Sequence, residues 1–258
     1  MTVLALGLAA LAAAADPSEA GRGAPVPRPG LLLPSVSVLA RDTQVLSLES
    51  AFRGNYPILG VGFAEGMPGG LELAGAGGFD HARVDWPGAG GRHDADVFQA
   101  ALRLGLPLRS RGRFTGGAAF AAGFTRGYDR TRFDDGRYSF AVNRTVWGEF
   151  AAGAGVVMGA RATVAERYLR DVGTRTNTHA IVFGAESPAW RGASFLGEIG
   201  FLIKNPLKWK KPWAAGIRLP AGGQAIDAFV SNARGVTFPG SLAGTQDLFY
   251  TLRILLSM

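Results

Sequence analysis

From about residue 44 to the last residue, the chain alternates apolar and polar positions in short runs. Between Gln246 and Leu255, Leu248, Tyr250, Leu252 and Ile254 fall on one face, and Phe249, Thr251 and Arg253 fall on the other. Successive side chains of a strand point to opposite faces, so this period of two predicts β structure. Twelve such segments are found, at 44–53, 56–65, 70–79, 94–106, 112–123, 145–157, 161–169, 176–186, 193–203, 212–219, 224–231 and 246–256. Lengths near ten residues suit strands that cross a bilayer at a tilt. Arg137 to Thr145 is a further candidate strand, so the predicted count is about 12, with a range of 10–14.

Each face has its own chemistry. Phe98, Leu102 and Leu104 share one face of 94–106 while Gln99 and Arg103 share the other, and Phe195, Ile199 and Phe201 oppose Glu198 on 193–203. A soluble sandwich would bury the greasy face. A strand in lipid turns it outward, and only a closed sheet leaves no backbone group unpaired in hydrocarbon. An Arg or Lys facing lipid near the midplane costs about 2–4 kcal/mol, so the charges belong inside. The predicted lumen-facing set is Glu49, Glu72, Arg103, Glu149, Glu166, Glu198, Arg218, Asp227 and Arg253. Glu198 with Arg218, and Asp227 with Arg253, stand on neighbouring segments and are candidate cross-strand ion pairs.

The connections alternate in length. Those after the second, fourth, sixth, eighth and tenth segments are short. Those after the third, fifth, ninth and eleventh, at 80–93, 124–136, 204–211 and 232–245, are longer. Short turns on one rim and long loops on the other are the habit of outer-membrane barrels, with the long loops outside the cell and, for an even count, both termini in the periplasm. The predicted fold is therefore all-β, a single closed antiparallel transmembrane barrel over 44–258.

Composition narrows the picture. The chain has 258 residues, 38 of them glycine, and no cysteine, so disulfides and thiolate metal sites are out of reach. Its formal charge of +7 comes from scattered arginines, with no recognition helix or stacking motif, which argues against nucleic acid. Residues 1–15 hold a short apolar run ending in small residues before Asp16-Pro17, the pattern of a cleaved signal peptide, though no Lys or Arg precedes the run. Pro17, Pro25, Pro27, Pro29 and Pro34 make 16–43 a periplasmic linker or a segment that plugs the lumen.

Candidate chemistry is sparse. His93-Asp94-Ala95-Asp96 lacks metal-ligand spacing, and the acidic residues Asp129, Asp134 and Asp135 are interleaved with arginines rather than spaced as a calcium loop, so neither a metal nor another cofactor is expected. Gly153 to Gly159 departs from the dinucleotide fingerprint and has no helix after it. Ser231-Asn232 resembles the serine–asparagine stretch of outer-membrane phospholipases, but Phe229 stands where that family has its histidine, and only His179 is left as a distant base. Lys204, Lys208, Trp209, Lys210, Lys211 and Trp213 form the densest basic run, a candidate contact with lipid headgroups or lipopolysaccharide at the membrane rim.

The run from Trp213 to Ile217, through Ala221-Gly222-Gly223-Gln224 and Val230-Ser231-Asn232, to Arg234-Gly235-Val236-Thr237 resembles the closing hairpin of a family of bacterial outer-membrane proteins described as membrane-bound β-barrel domains. Ala165-Glu166-Arg167-Tyr168 is similar to another element of that pattern, and Gln224 replaces a typical histidine. The resemblance implies a barrel inserted by the barrel-assembly machinery and no particular activity. The expected function is a non-enzymatic barrel in a Gram-negative outer membrane, with a narrow charge-lined lumen serving a small-solute pore or the envelope's structure. A lipid hydrolase on the same barrel and a soluble periplasmic ligand-binding protein are the alternatives.

Overall fold

The structure, a computed structural model, describes Leu32 and residues 39–53, 56–86, 89–111, 114–156, 160–188, 190–221, 224–233 and 237–258. The predicted signal segment and residues 16–31 and 33–38 lie outside the described residues.

Alternation gives twelve strands: β1 (Gln44–Arg53), β2 (Tyr56–Met67), β3 (Leu71–Trp86), β4 (Ala89–Arg111), β5 (Phe114–Phe133), β6 (Tyr138–Val156), β7 (Arg161–Asp171), β8 (Asn177–Glu186), β9 (Ser194–Lys204), β10 (Trp213–Ala221), β11 (Gln224–Ala233) and β12 (Gly244–Ser257). Each pairs antiparallel with its neighbours in sequence, and β1 closes on β12 from Val45↔Ser257 to Phe52↔Tyr250. The cylinder leaves no sheet edge, which is what a sheet in hydrocarbon requires. A helical turn, α1 (Phe238–Leu242), stands between β11 and β12.

The faces follow the alternation. Phe98, Leu102, Phe120, Phe195, Ile217 and Leu252 are exposed on the perimeter, the reverse of a soluble sandwich. Inside, Ala101, Ala121, Ala151, Ala165, Ala180 and Ala214 are buried. A barrel of this size has a narrow interior, and small side chains on the wall leave room for the few large ones that fill it.

Two hairpins are taller than the sequence pattern predicts. The stretch expected as a loop at 80–93 continues the β3–β4 ladder from Asp80↔Ala95 to Trp86↔Ala89. The stretch at 124–136 and Arg137 to Thr145 continue β5 and β6 up to Arg132↔Tyr138, so the candidate at Arg137 to Thr145 is, from Tyr138 on, part of β6 rather than a strand of its own. Beyond the hydrocarbon both faces of a hairpin meet water, so the polarity alternation fades while the backbone ladder persists. The β5–β6 turn closes through a 2.9 Å bond from the Phe133 N–H to the Arg137 carbonyl, with Gly136 at φ 85°. On the opposite rim the β2–β3 turn needs Gly69 and Gly70, at φ 76° and 73°, a backbone region that disfavours any side chain.

Candidate functional site

The barrel wall places its inward charges on directly opposed residues of neighbouring strands. Glu72 faces Arg103, Glu149 faces Arg167, Arg218 faces Asp227, and Arg253 lies between Asp227 and Glu49. Opposed residues share one face of the sheet, so each pair meets inside the cylinder. Arg218 binds Asp227 through both oxygens, at 2.7 and 3.0 Å, and Arg253 binds the same carboxylate at 2.6 Å. Glu186 on β8 extends the chain of charges, 3.4 Å from Arg218. Asp227 has no exposed surface. A buried carboxylate between two guanidiniums recovers its lost hydration from charge-assisted bonds.

A second cluster lies inside the barrel. The Arg167 side chain, 2.8 Å from Glu149, donates to the Leu32 carbonyl at 2.6 Å and to Ser241 Oγ at 2.8 Å. Its guanidinium lies 4.0 Å over the Phe238 ring, whose other face stacks on Trp147 at 4.2 Å and 10°. Phe238 is thus held between a cation and an indole, two favourable contacts for an aromatic ring. Its N–H donates to Gln99 Oε1 at 2.7 Å. Leu32, almost fully buried, donates its N–H to Glu198 Oε2 at 2.7 Å, and Leu39 donates to Glu72 at 3.0 Å. Leu32, Trp147, Phe238 and Leu242 form one buried cluster with the wall alanines.

The turn α1 reaches this position for local reasons. Thr237 caps it, its hydroxyl accepting from the Gly240 N–H, and Pro239 sits in the first turn, where its missing donor costs nothing. Phe238 and Leu242 then point to one side, and both are buried. Within the stretch 232–245, predicted as an external loop, the turn Phe238–Leu242 instead packs inside the barrel. The signal was two large apolar residues in a segment that lipid does not touch.

Above α1 the cylinder opens into a cavity of about 420 Å³, lined by Thr125, Asp129, Asn143, Thr145, Trp209 and Pro239 among others. Asn143 donates to Asp129 across this wall at 2.5 Å.

Among the predicted lumen residues, Glu49, Glu72, Arg103, Glu149, Glu198, Arg218, Asp227 and Arg253 stand on inward positions. Asp227 and Arg253 meet, whereas Arg218 aligns with Ser194 and Glu198 with Ala214, so the expected Glu198–Arg218 opposition gives way to Asp227 and Glu186 as partners of Arg218. Glu166 is a correction. Along β7 the buried positions are Ala165, Arg167 and Leu169, so Arg167 takes the lumen and Glu166 shares the outer face with Tyr168. Trp209 is a second correction, because it turns inward against the buried cluster and borders the cavity. Lys204, Lys208, Lys210 and Lys211 are exposed, and Trp213 is half-buried at the start of β10.

Ser231 and His179, the residues a hydrolase would need, lie on opposite sides of the wall. Ser231 is fully buried inside, donating to the Ala233 carbonyl at 2.6 Å, and His179 pairs with Glu166 on the outer face at 3.0 Å. Among the described residues no group of His, Asp or Glu is arranged to hold a metal ion.

No protein-family model and no curated protein matches the chain. Solved structures do. The KdgM porin aligns with a TM-score of 0.53 at 7% identity, over 83% of this chain and 99% of that one. The NanC porin aligns at 0.48 and 10% identity, over 81% and 98%. The β domain of the Bordetella autotransporter BrkA aligns at 0.38 and 13% identity, over 83% and 96%. The likeness shows the fold, a closed β-barrel of the kind found in the Gram-negative outer membrane.

Proposed function

We propose that this protein is a non-enzymatic outer-membrane barrel that passes small solutes through a lumen closed at rest by α1, with Leu32 packed in the same cluster. The observation that carries the reading is Phe238, folded from the connection between β11 and β12 into the barrel and clamped between Trp147 and Arg167. A stopper held by a few side-chain contacts is a movable element. The charge-lined wall behind it supports a hydrated path, because buried ion pairs add little to stability over well-packed apolar residues and so are a poor choice for a merely structural plug. The separation of Ser231 from His179 favours this reading over a lipid hydrolase.

Planar-bilayer recording tests it. The full chain is expected to stay mostly closed. Replacing residues 236–242 by a short Gly-Ser turn, alone or together with removal of residues 16–38, is expected to give steady ohmic current. Silence of the doubly deleted protein, with its heat-modifiable gel shift intact, would reject the pore and leave a structural envelope component. Phe238→Ala should give the intermediate case, with brief openings in an otherwise silent channel.

A further inference from the structure

The outer wall carries a second site, unrelated to the lumen. Gly148, Tyr168, His179 and Lys204 are directly opposed in turn across β6, β7, β8 and β9, so they form one row on the outer face. A bulge beside His179 brings Lys204 into this row, opposite a histidine that would otherwise face Ile203. The Tyr168 and His179 rings stack at 4.3 Å and 9°, and Glu166 one rung below accepts from the Tyr168 hydroxyl and binds His179 Nε2 at 3.0 Å. The carboxylate is thereby used within the row. Arg170, one rung above, and Lys204 are exposed, and among the described residues neither is ion-paired.

Gly148, Tyr168, Arg170, His179 and Lys204, with Asn177 and Ile203, border a groove of about 620 Å³ whose floor is open at Gly148, where an added Cβ would meet nothing nearer than the Ala121 carbonyl at 3.9 Å. Immediately toward the membrane the outer face becomes apolar. Phe183 and Phe201 pack edge to face with centroids 6.0 Å apart, and Ile199 lies beside them. The Lys211 ammonium lies 5.4 Å over the Phe201 ring. The groove therefore joins unpaired cations and hydrogen-bond donors above to a hydrocarbon-facing surface below, on the rim where the long hairpins stand. Lys and Arg at a membrane surface attract anionic headgroups, and aromatic rings seat at the same level.

We infer that this groove holds the phosphorylated headgroup of a lipid of the outer leaflet, with Arg170 and Lys204 on the phosphate, the Tyr168–His179 stack as its wall, and acyl chains running down past Phe201. The test is native mass spectrometry of the full-length protein purified in detergent and incubated with bis-phosphorylated lipid A or with its dephosphorylated form. Retention of the phosphorylated lipid is expected, and Arg170→Gln with Lys204→Gln should lower its affinity about 30-fold, from two surface charges at their usual worth. Gly148→Leu, which fills the floor without touching a charge, should also reduce retention. Equal retention of both lipids by the unaltered protein would overturn the assignment. So would an unchanged affinity in the double variant, or capture of inorganic phosphate alone at the same concentration.

Discussion

Asp227 accepts from two arginines and has no contact with solvent, so its charge holds together the half of the lumen nearer the short turns. Asp227→Asn would leave Arg218 and Arg253 facing a neutral partner. Breaking a buried pair from one side costs about 3–5 kcal/mol. Urea unfolding in phospholipid vesicles, followed by tryptophan fluorescence, should show a loss of that order, whereas full stability would mean that lumen water already screens these charges. The residues inside were largely legible from alternation alone, because a charge on a strand flanked by Phe, Ile or Leu has only one tolerable side. Alternation does not decide Ala165-Glu166-Arg167-Tyr168, where two adjacent charges compete for the lumen. The missing constraint was Tyr168. An aromatic belt residue faces the interface, and a residue two positions away shares its face, which sends Glu166 outward and Arg167 in.

At the scale of elements, the strands were legible and the fillers were not. Period two survives wherever one face meets lipid, so β7 to β12 begin and end within a residue or two of their predicted bounds. Above the bilayer that contrast vanishes, which is why the upper halves of β3 to β6 read as loops. The turn α1 was hidden because five residues carry no periodicity, and its burial depends on Trp147 and Arg167, far away in sequence. The seat of residues 39–43 is another long-range product. Gly66 exchanges backbone bonds with Asp42 and Thr43, and a Cβ on Gly66 would stand 1.9 Å from the Ala40 carbonyl oxygen. Gly66→Val should therefore dislodge this segment and free Leu39 from Glu72. Since the chain has no cysteine, Ala40→Cys offers a single label. Its reaction with a maleimide should be several-fold faster in the Gly66→Val background, and an equal rate would show that the segment sits there without help from the glycine.

For the molecule as a whole, the net charge and the lumen charge point in opposite directions. The chain carries +7, which taken alone suggests an anion path. Yet Lys204, Lys208, Lys210 and Lys211 are exposed at one rim, and Arg130 pairs with Asp96 in the tall hairpins. Among the described inward residues, the acids Glu49, Glu72, Asp129, Glu149, Glu186, Glu198 and Asp227 outnumber the arginines Arg103, Arg167, Arg218 and Arg253 that pair with them. A narrow low-dielectric tube focuses the field of its own lining and is little affected by charges beyond a Debye length, about 10 Å at 0.1 M salt. Once α1 is removed, the barrel should therefore prefer cations. The reversal potential across a tenfold KCl gradient should shift toward the potassium equilibrium potential, and Glu198→Gln should weaken the preference without abolishing current. A shift toward the chloride potential would mean that the outer rim sets selectivity, and that the ion pairs inside are neutral to a passing solute.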